Sequence, residues 1–184
     1  PFSFVGTNNE PAGYSIDLCK RVIARIKQAV GQPNLKVNWL AGSTPERLRM
    51  VATGKADLEC GNTSQTFARL ASVDFSGLIF VDAGGVMIRA DSSFNSMADL
   101  DGKKIAVLKD TTTEARLNAI IQKHLVNTRV VQVGDANEAL AMLESGGVDA
   151  YAGDKIKLVG LAAQAKDPAK FALLTEEISF EPYA

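Results

Sequence analysis

Histidine is almost missing from this chain, and with it most of the proton-transfer chemistry available near neutral pH. Among 184 residues there is one, His124. A Ser-His-Asp triad would have to use it. It follows Ile120 and Ile121 and precedes Leu125 at the end of an expected helix, where a cation complements the helix dipole. The G-x-S-x-G elbow, the P-loop, G-x-G-x-x-G and H-E-x-x-H are all missing. Cysteine is scarce too: Cys19 and Cys60 match no metal-ligand spacing. No catalytic residue, metal site or cofactor is therefore expected. Cys19 falls on the apolar face of an expected helix and Cys60 in an expected strand. Two buried thiols and a disulfide in an oxidising compartment both remain open.

Charge of one sign is also lacking. Twenty Lys and Arg stand against 21 Asp and Glu, a net charge of −1, and they are scattered. That removes the basic face that nucleic acid or a membrane surface requires. Long hydrophobic runs are missing as well, since a membrane span needs roughly 20 apolar residues. The longest candidate, Gly77 to Ile88, is broken by Asp82 and by Gly84 and Gly85. No leader precedes Pro1, and the expectation is a chain truncated at both ends whose signal segment has been cut away.

What is present is alternation of helix and strand signals, which points to α/β architecture. Ile16, Cys19, Val22, Ile23, Ile26 and Val30 share one helical face, closed by Gly31 and Pro33. Residues 35–40 (LKVNWL) alternate as a half-buried strand does. A short helix follows, with Thr44 as N-cap, Pro45 in first position and Gly54 past the end; 57–61 (DLECG) then reads as a strand. Further on, 103–108 is a strand leading to a helix over 111–125, where Thr111 and Glu114 have capping-box spacing. Strand 129–133, a helix capped by Asp135, strand 148–153, a helix over 155–165 and strand 171–174 complete the series.

One pattern outweighs the single elements. Glu46–Gly61 and Glu138–Gly153 superimpose without a gap at an offset of 92 residues. Glu46/Glu138, Leu48/Leu140, Met50/Met142, Gly54/Gly146, Asp57/Asp149 and Gly61/Gly153 are identical pairs. This is read as an internal repeat, and so as two similar lobes. Ligands of open α/β sheets gather beyond the carboxyl ends of strands, so the residues after the two closing glycines, Asn62 and Asp154, nominate a cleft. Arg69 lies eight residues beyond Gly61 and can grip a carboxylate bidentately. Residues 109–114 (KDTTTE) place hydroxyls and backbone N–H groups at a helix start, an expected anion site. Asp154 can cap the following helix or hold an ammonium. A cation, an anion site and a carboxylate match the two charged groups of an α-amino acid.

The segments PFSF with GYSIDLC, GKADLECGNTSQTFARLASVDFSGLIF, SMADLDGKKIAVLKDTTTE and LESGGVDAYAGD resemble the family 3 bacterial extracellular solute-binding proteins, most of all their glutamate/aspartate-binding branch. The resemblance implies a type II periplasmic-binding-protein fold with a ligand cleft between two α/β lobes. It places lobe 1 at 1–83, a first crossover at 84–90, lobe 2 at 91–178 and a return crossover at 179–184. It implies that Arg69 pairs with the ligand α-carboxylate, Ser64 adds a hydroxyl and the backbone near Asn62 accepts from the ammonium. Asp154 is implied as the ammonium's counter-charge and Thr112 as a donor to the α-carboxylate. Thr44 and Arg47 match positions that touch the ligand side chain, and Arg47 favours an acidic one. The implied role is capture of a polar, acidic amino acid in the periplasm for the membrane permease of an ABC importer, without nucleic acid, membrane insertion or catalysis. An extracellular sensor module of a receptor and a cyclohexadienyl-dehydratase-like enzyme are the alternatives. The chain departs from the branch at Ala136, where a histidine is common, and at Asp110, where glycine is usual.

Overall fold

A computed structural model describes residues 1–124 and 127–184. Two compact units emerge, Pro1–Phe80 with Pro182–Ala184, and Val81–Glu181.

The regular structure of the first unit is mainly helical, and the rest of it is irregular. Strands β1 (Phe4–Val5) and β2 (Pro11–Ala12) form an antiparallel pair that leads into α1 (Tyr14–Ala29), followed by α2 (Thr44–Ala52) and α3 (Phe67–Leu70). Its packing centre is aromatic: the Phe2 ring lies 5.1 Å from Tyr183, 5.2 Å from Phe80 and 6.0 Å from Tyr14, meeting all three edge to face. The Tyr14 hydroxyl donates to the Ile79 carbonyl at 2.9 Å. A disulfide joins Cys19 on α1 to Cys60, with Cα atoms 6.0 Å apart, and decides the question the spacing left open.

Here the expected strands 35–40 and 57–61 do not form; both segments are irregular, and Cys60 therefore lies in a loop. Alternation of apolar and polar residues is local, but a strand exists only when its N–H and C=O groups find a neighbouring strand. Leu35, Val37, Trp39 and Leu40 are accordingly exposed rather than half-buried. The expected apolar face of α1 is buried only at its start: Ile16 and Cys19 are covered, whereas Val22, Ile26 and Val30 are exposed.

The second unit is a layered α/β domain. Its strands are β3 (Phe80–Arg89, entering from the first unit), β4 (Lys104–Leu108), β5 (Arg129–Val133), β6 (Ala150–Asp154), β7 (Phe171–Leu173) and β8 (Ser179–Tyr183). They form one sheet in the order β5-β4-β6-β3-β7, with β8 also on β3. β4 runs parallel to β5 and β6, and β3 antiparallel to β6 and β7. The helices are α4 (Thr112–His124), α5 (Ala136–Glu144) and α6 (Lys155–Gln164). Leu125, expected in α4, lies outside the described residues.

The two-residue period of the strands sorts the core into two layers. Val86, Ile88, Ile105, Val107, Ala150 and Ala152 point to the side where Leu117 of α4 packs. Met87, Ala106 and Tyr151 point to the other, against Ala139 and Leu143 of α5 and Leu158 of α6. Coverage on both faces explains why these strands read as nearly continuous apolar runs.

The repeat survives in the helices. α2 and α5 cover equivalent positions, and each is followed by a glycine in the left-handed region, Gly54 at φ 69° and Gly146 at φ 77°. Six residues beyond the methionine, the Ala56 N–H returns to the Met50 carbonyl at 3.0 Å and the Val148 N–H to the Met142 carbonyl at 3.2 Å. The cap of α2 is Ser43, not Thr44: the Ser43 hydroxyl and N–H both donate to Glu46, at 2.7 and 2.8 Å. α5 is capped as expected by Asp135, which accepts from the Asn137 and Glu138 N–H groups. The copies part after their glycines. Residues 150–154 pair with β3 and β4, whereas among the described residues 57–61 have no strand partner.

Candidate functional site

In the first unit, the expected side-chain-binding pair meets directly. Thr44 opens α2, and its Oγ1 accepts from Arg47 Nη2 at 3.3 Å. Arg47 is held on every side of its guanidinium: Nε donates to Glu59 Oε1 at 2.6 Å, Nη1 to the Gly42 carbonyl at 2.8 Å, and Nη2 also to Thr63 Oγ1 at 3.5 Å. Glu59 and Thr63 were not singled out from the sequence. The available signal for Glu59 was an acid set between Leu58 and Cys60 in an apolar stretch. Thr63 is 2% exposed, so the Arg47 head reaches into a covered place where a fixed geometry is worth more than on the surface.

The α-carboxylate candidates form a second group. Arg69 lies on α3, a single turn whose cap Thr66 accepts from the Arg69 N–H at 3.2 Å. Its Nη1 donates to the Ser64 carbonyl at 2.7 Å. Ser64 is buried, and its backbone bridges antiparallel to Tyr183, while the Gln65 N–H donates to the Pro182 carbonyl at 2.8 Å. Asn62 is half-buried between the buried Gly61 and Thr63. Thus Ser64 and Arg69 come together, as do Thr44 and Arg47.

In the second unit the two candidates lie at the ends of secondary structure elements. Asp154 ends β6 and precedes α6, yet its side chain does not cap that helix. Oδ1 accepts from Thr113 Oγ1 at 3.0 Å and Oδ2 pairs with Lys157 Nζ at 2.8 Å. Asp154 is 5% exposed, a buried charge held by compensating donors. It also helps push the Tyr151 hydroxyl far above its usual range, after burial and ahead of Asp135.

Thr112 opens α4. The start of this helix, expected as an anion site, also touches two of the chain's own carboxylates. The Asp110 N–H donates to Glu114 Oε2 at 2.7 Å, Thr111 Oγ1 accepts from the Glu114 N–H at 3.2 Å, and Thr112 Oγ1 donates to Glu181 Oε2 at 2.8 Å. Glu181, 1% exposed, was not singled out; its signal was a lone acid in the aromatic FEPYA segment. Asp110 has φ 59°, which accounts for glycine being usual at this turn.

Known proteins resemble this chain along its whole length. Residues 1–129 match the family described as bacterial extracellular solute-binding proteins, family 3. An L-glutamate/L-aspartate-binding protein of Pseudomonas aeruginosa is 33% identical over the whole chain, which covers 61% of that protein. A glutamate/aspartate import solute-binding protein of Escherichia coli is 28% identical, again with the chain covering 61% of it. The chain thus spans about three fifths of the length of these curated relatives. Among solved structures, an ABC transporter periplasmic binding protein from Brucella ovis with glutathione bound matches at a TM-score of 0.87 and 30% identity, over 99% of this chain and 57% of that one. An ancestral arginine-binding protein bound to arginine matches at 0.83 and 27%, over 100% and 77%. The fold is that of the type II periplasmic binding proteins.

Proposed function

The chain belongs to the family 3 bacterial extracellular solute-binding proteins, and on that premise we propose that it binds a polar, acidic amino acid in the periplasm and delivers it to the permease of an ABC importer. One observation carries this reading. The two charged groups of an α-amino acid find opposite chemistry in the two units, a half-buried guanidinium at Arg69 in the first and a buried carboxylate at Asp154 in the second. Arg69 takes the α-carboxylate, with Ser64 and the backbone at Asn62 beside it in sequence. Asp154 takes the ammonium, and the ligand exchanges for part of what Lys157 now supplies. Thr44 and Arg47 read the ligand side chain. The grip is that of a binding protein: each group holds charge, and no step of bond making is required of any residue.

Thermal unfolding with each standard amino acid tests the reading. A ligand at 100 times its Kd stabilises the folded state by about 2.7 kcal/mol, so a binder raises Tm in a concentration-dependent way. Acidic and polar amino acids are expected to do so. A Tm unmoved by every amino acid would refute the proposal.

A further inference from the structure

Between α2 and the buried residues Gly61, Thr63 and Ser64, the chain is fastened by side chains. Among the described residues, no backbone group from Asp57 to Cys60 bonds to another backbone group. Two side-chain links hold this stretch: Glu59 Oε1 accepts from Arg47 Nε at 2.6 Å, and Cys60 is bonded to Cys19 of α1. The chain on either side is held independently. Upstream, the Lys55 and Ala56 N–H groups return to the Met50 carbonyl at 2.8 and 3.0 Å. Downstream, Ser64 bridges to Tyr183 and the Gln65 N–H donates to the Pro182 carbonyl. The start of α1 is likewise secured without the disulfide, since the Tyr14 and Ser15 N–H groups donate to the Pro1 and Phe2 carbonyls, both at 3.0 Å. The local hold of the disulfide therefore falls on residues 57–60.

That stretch bears directly on Arg47. Cys60 sits between Glu59 and Gly61, and both neighbours lie against the Arg47 guanidinium. A Cβ added to Gly61 would meet Glu59 Oε1 and, at 3.2 Å, Arg47 Nη2. Fixing Cys60 thus fixes the acid beside Arg47, and the acid offsets positive charge that an anionic ligand group would seek. Cys19 is covered, at 8% exposed, while Cys60 is half-buried, so a thiolate reaches the bond from the Cys60 side.

We propose that the Cys19–Cys60 disulfide sets the charge preference of the first unit: it holds Glu59 on Arg47, and its reduction releases the acid and shifts selection toward anionic side chains. This rests on the amino-acid reading above, in which Arg47 reads the ligand side chain. A small dithiol supplies the two electrons and two protons. The S–S bond is cleaved to the Cys19 and Cys60 thiols, and the dithiol closes to its own disulfide. Glu59 and the disulfide are positioning elements, acting on the ligand through Arg47.

The test is calorimetric titration with L-glutamate and L-glutamine of the wild type and Glu59→Gln, each oxidised and each reduced with dithiothreitol. Reduction of the wild type is expected to raise the glutamate-to-glutamine affinity ratio about threefold, the scale of a partly exposed ion pair. A merely structural bond would weaken both ligands by the same factor. In Glu59→Gln, reduction should leave the ratio unchanged, because the acid it would release is gone. A constant ratio in the wild type, or an equal rise in Glu59→Gln, would overturn the proposal alone. The reduced chain should keep its helical circular dichroism; global unfolding would overturn the proposal by making the bond a staple of the whole unit. Failure of the oxidised wild type to bind any amino acid would overturn it together with the amino-acid reading. A ligand-free thermal double-mutant cycle on Arg47→Met and Glu59→Gln should show coupling when oxidised and near-additivity when reduced. Equal coupling in both states would remove the link between the disulfide and Arg47, whatever the ligands do.

Discussion

Glu59 holds Arg47 by its Nε, at 2.6 Å, with the two side chains 12% and 25% exposed. The pair is therefore partly desolvated, and its members are not interchangeable with surface ions. Removing the acid by Glu59→Ala leaves a half-buried guanidinium whose acceptors among the described residues, Gly42, Thr44 and Thr63, are neutral. We expect a loss of about 2 kcal/mol in denaturant unfolding. The milder Glu59→Gln tests specificity, because it frees positive potential at Arg47. Affinity for glutamate relative to glutamine should rise in that variant; an unchanged ratio would remove Arg47 from the ligand's side-chain contacts.

Cys19 and Cys60 enclose a segment through a separation of 41 residues. Closing a loop of that length restricts the unfolded chain by about 4 kcal/mol in the chain-entropy account. The Cys19→Ala/Cys60→Ala variant should unfold at clearly lower denaturant than the oxidised protein, and a thiol titration of the native chain should find none free. Two titratable thiols would contradict the bond.

Both features bear on what could be read from the sequence. Helices announce themselves through neighbours: Gly54 and Gly146, the Asp135 cap and the repeat itself were legible because capping and periodicity act within one turn. Strands of the second unit were legible because both their faces are covered, which writes long apolar runs. Segments 35–40 and 57–61 carry the same local signals, but pairing depends on distant chain, and within the described residues none lies beside them as a strand. The site divides in the same way. Thr112 and Asp154 stand at element ends, and Arg47 and Arg69 lie in short helices, where sequence motifs point. Thr113 lay within the nominated 109–114 segment, but the partners Glu59, Glu181 and Lys157 were missed, Glu59 and Glu181 because they come from 12 and 69 residues away. Lys157, three residues from Asp154, was near enough to suspect.

Asp110 occupies the left-handed region, at φ 59°, just before α4. An aspartate tolerates this conformation at a cost that glycine does not carry. Asp110→Gly should therefore stabilise the chain by about 0.5 kcal/mol, read as a small rise in Tm. A fall in Tm would mean that the Asp110 side chain contributes more than its backbone costs.

Acid should loosen the start of α2. The Ser43 hydroxyl, and after it the Ser43 N–H, hold the Glu46 carboxyl below its usual value of 4.5. A depressed carboxyl contributes stability that is complete above that value and is lost as pH falls through the lower, folded-state value. Asn95 and Ser96 act likewise on Asp99, through the Asn95 N–H first. Tm should decline as pH drops below 4.5, and the decline should be shallower in Glu46→Gln. Identical profiles would take the cap out of the account.

The central claim is that Arg69 grips the α-carboxylate of an amino acid. Titration calorimetry of wild type and Arg69→Ala with L-glutamate tests it most directly, because the proposed grip is a charge-assisted contact that alanine cannot make. The account predicts saturable one-to-one binding by the wild type and a loss of about 100-fold in the variant. Equal affinity in both proteins would contradict it.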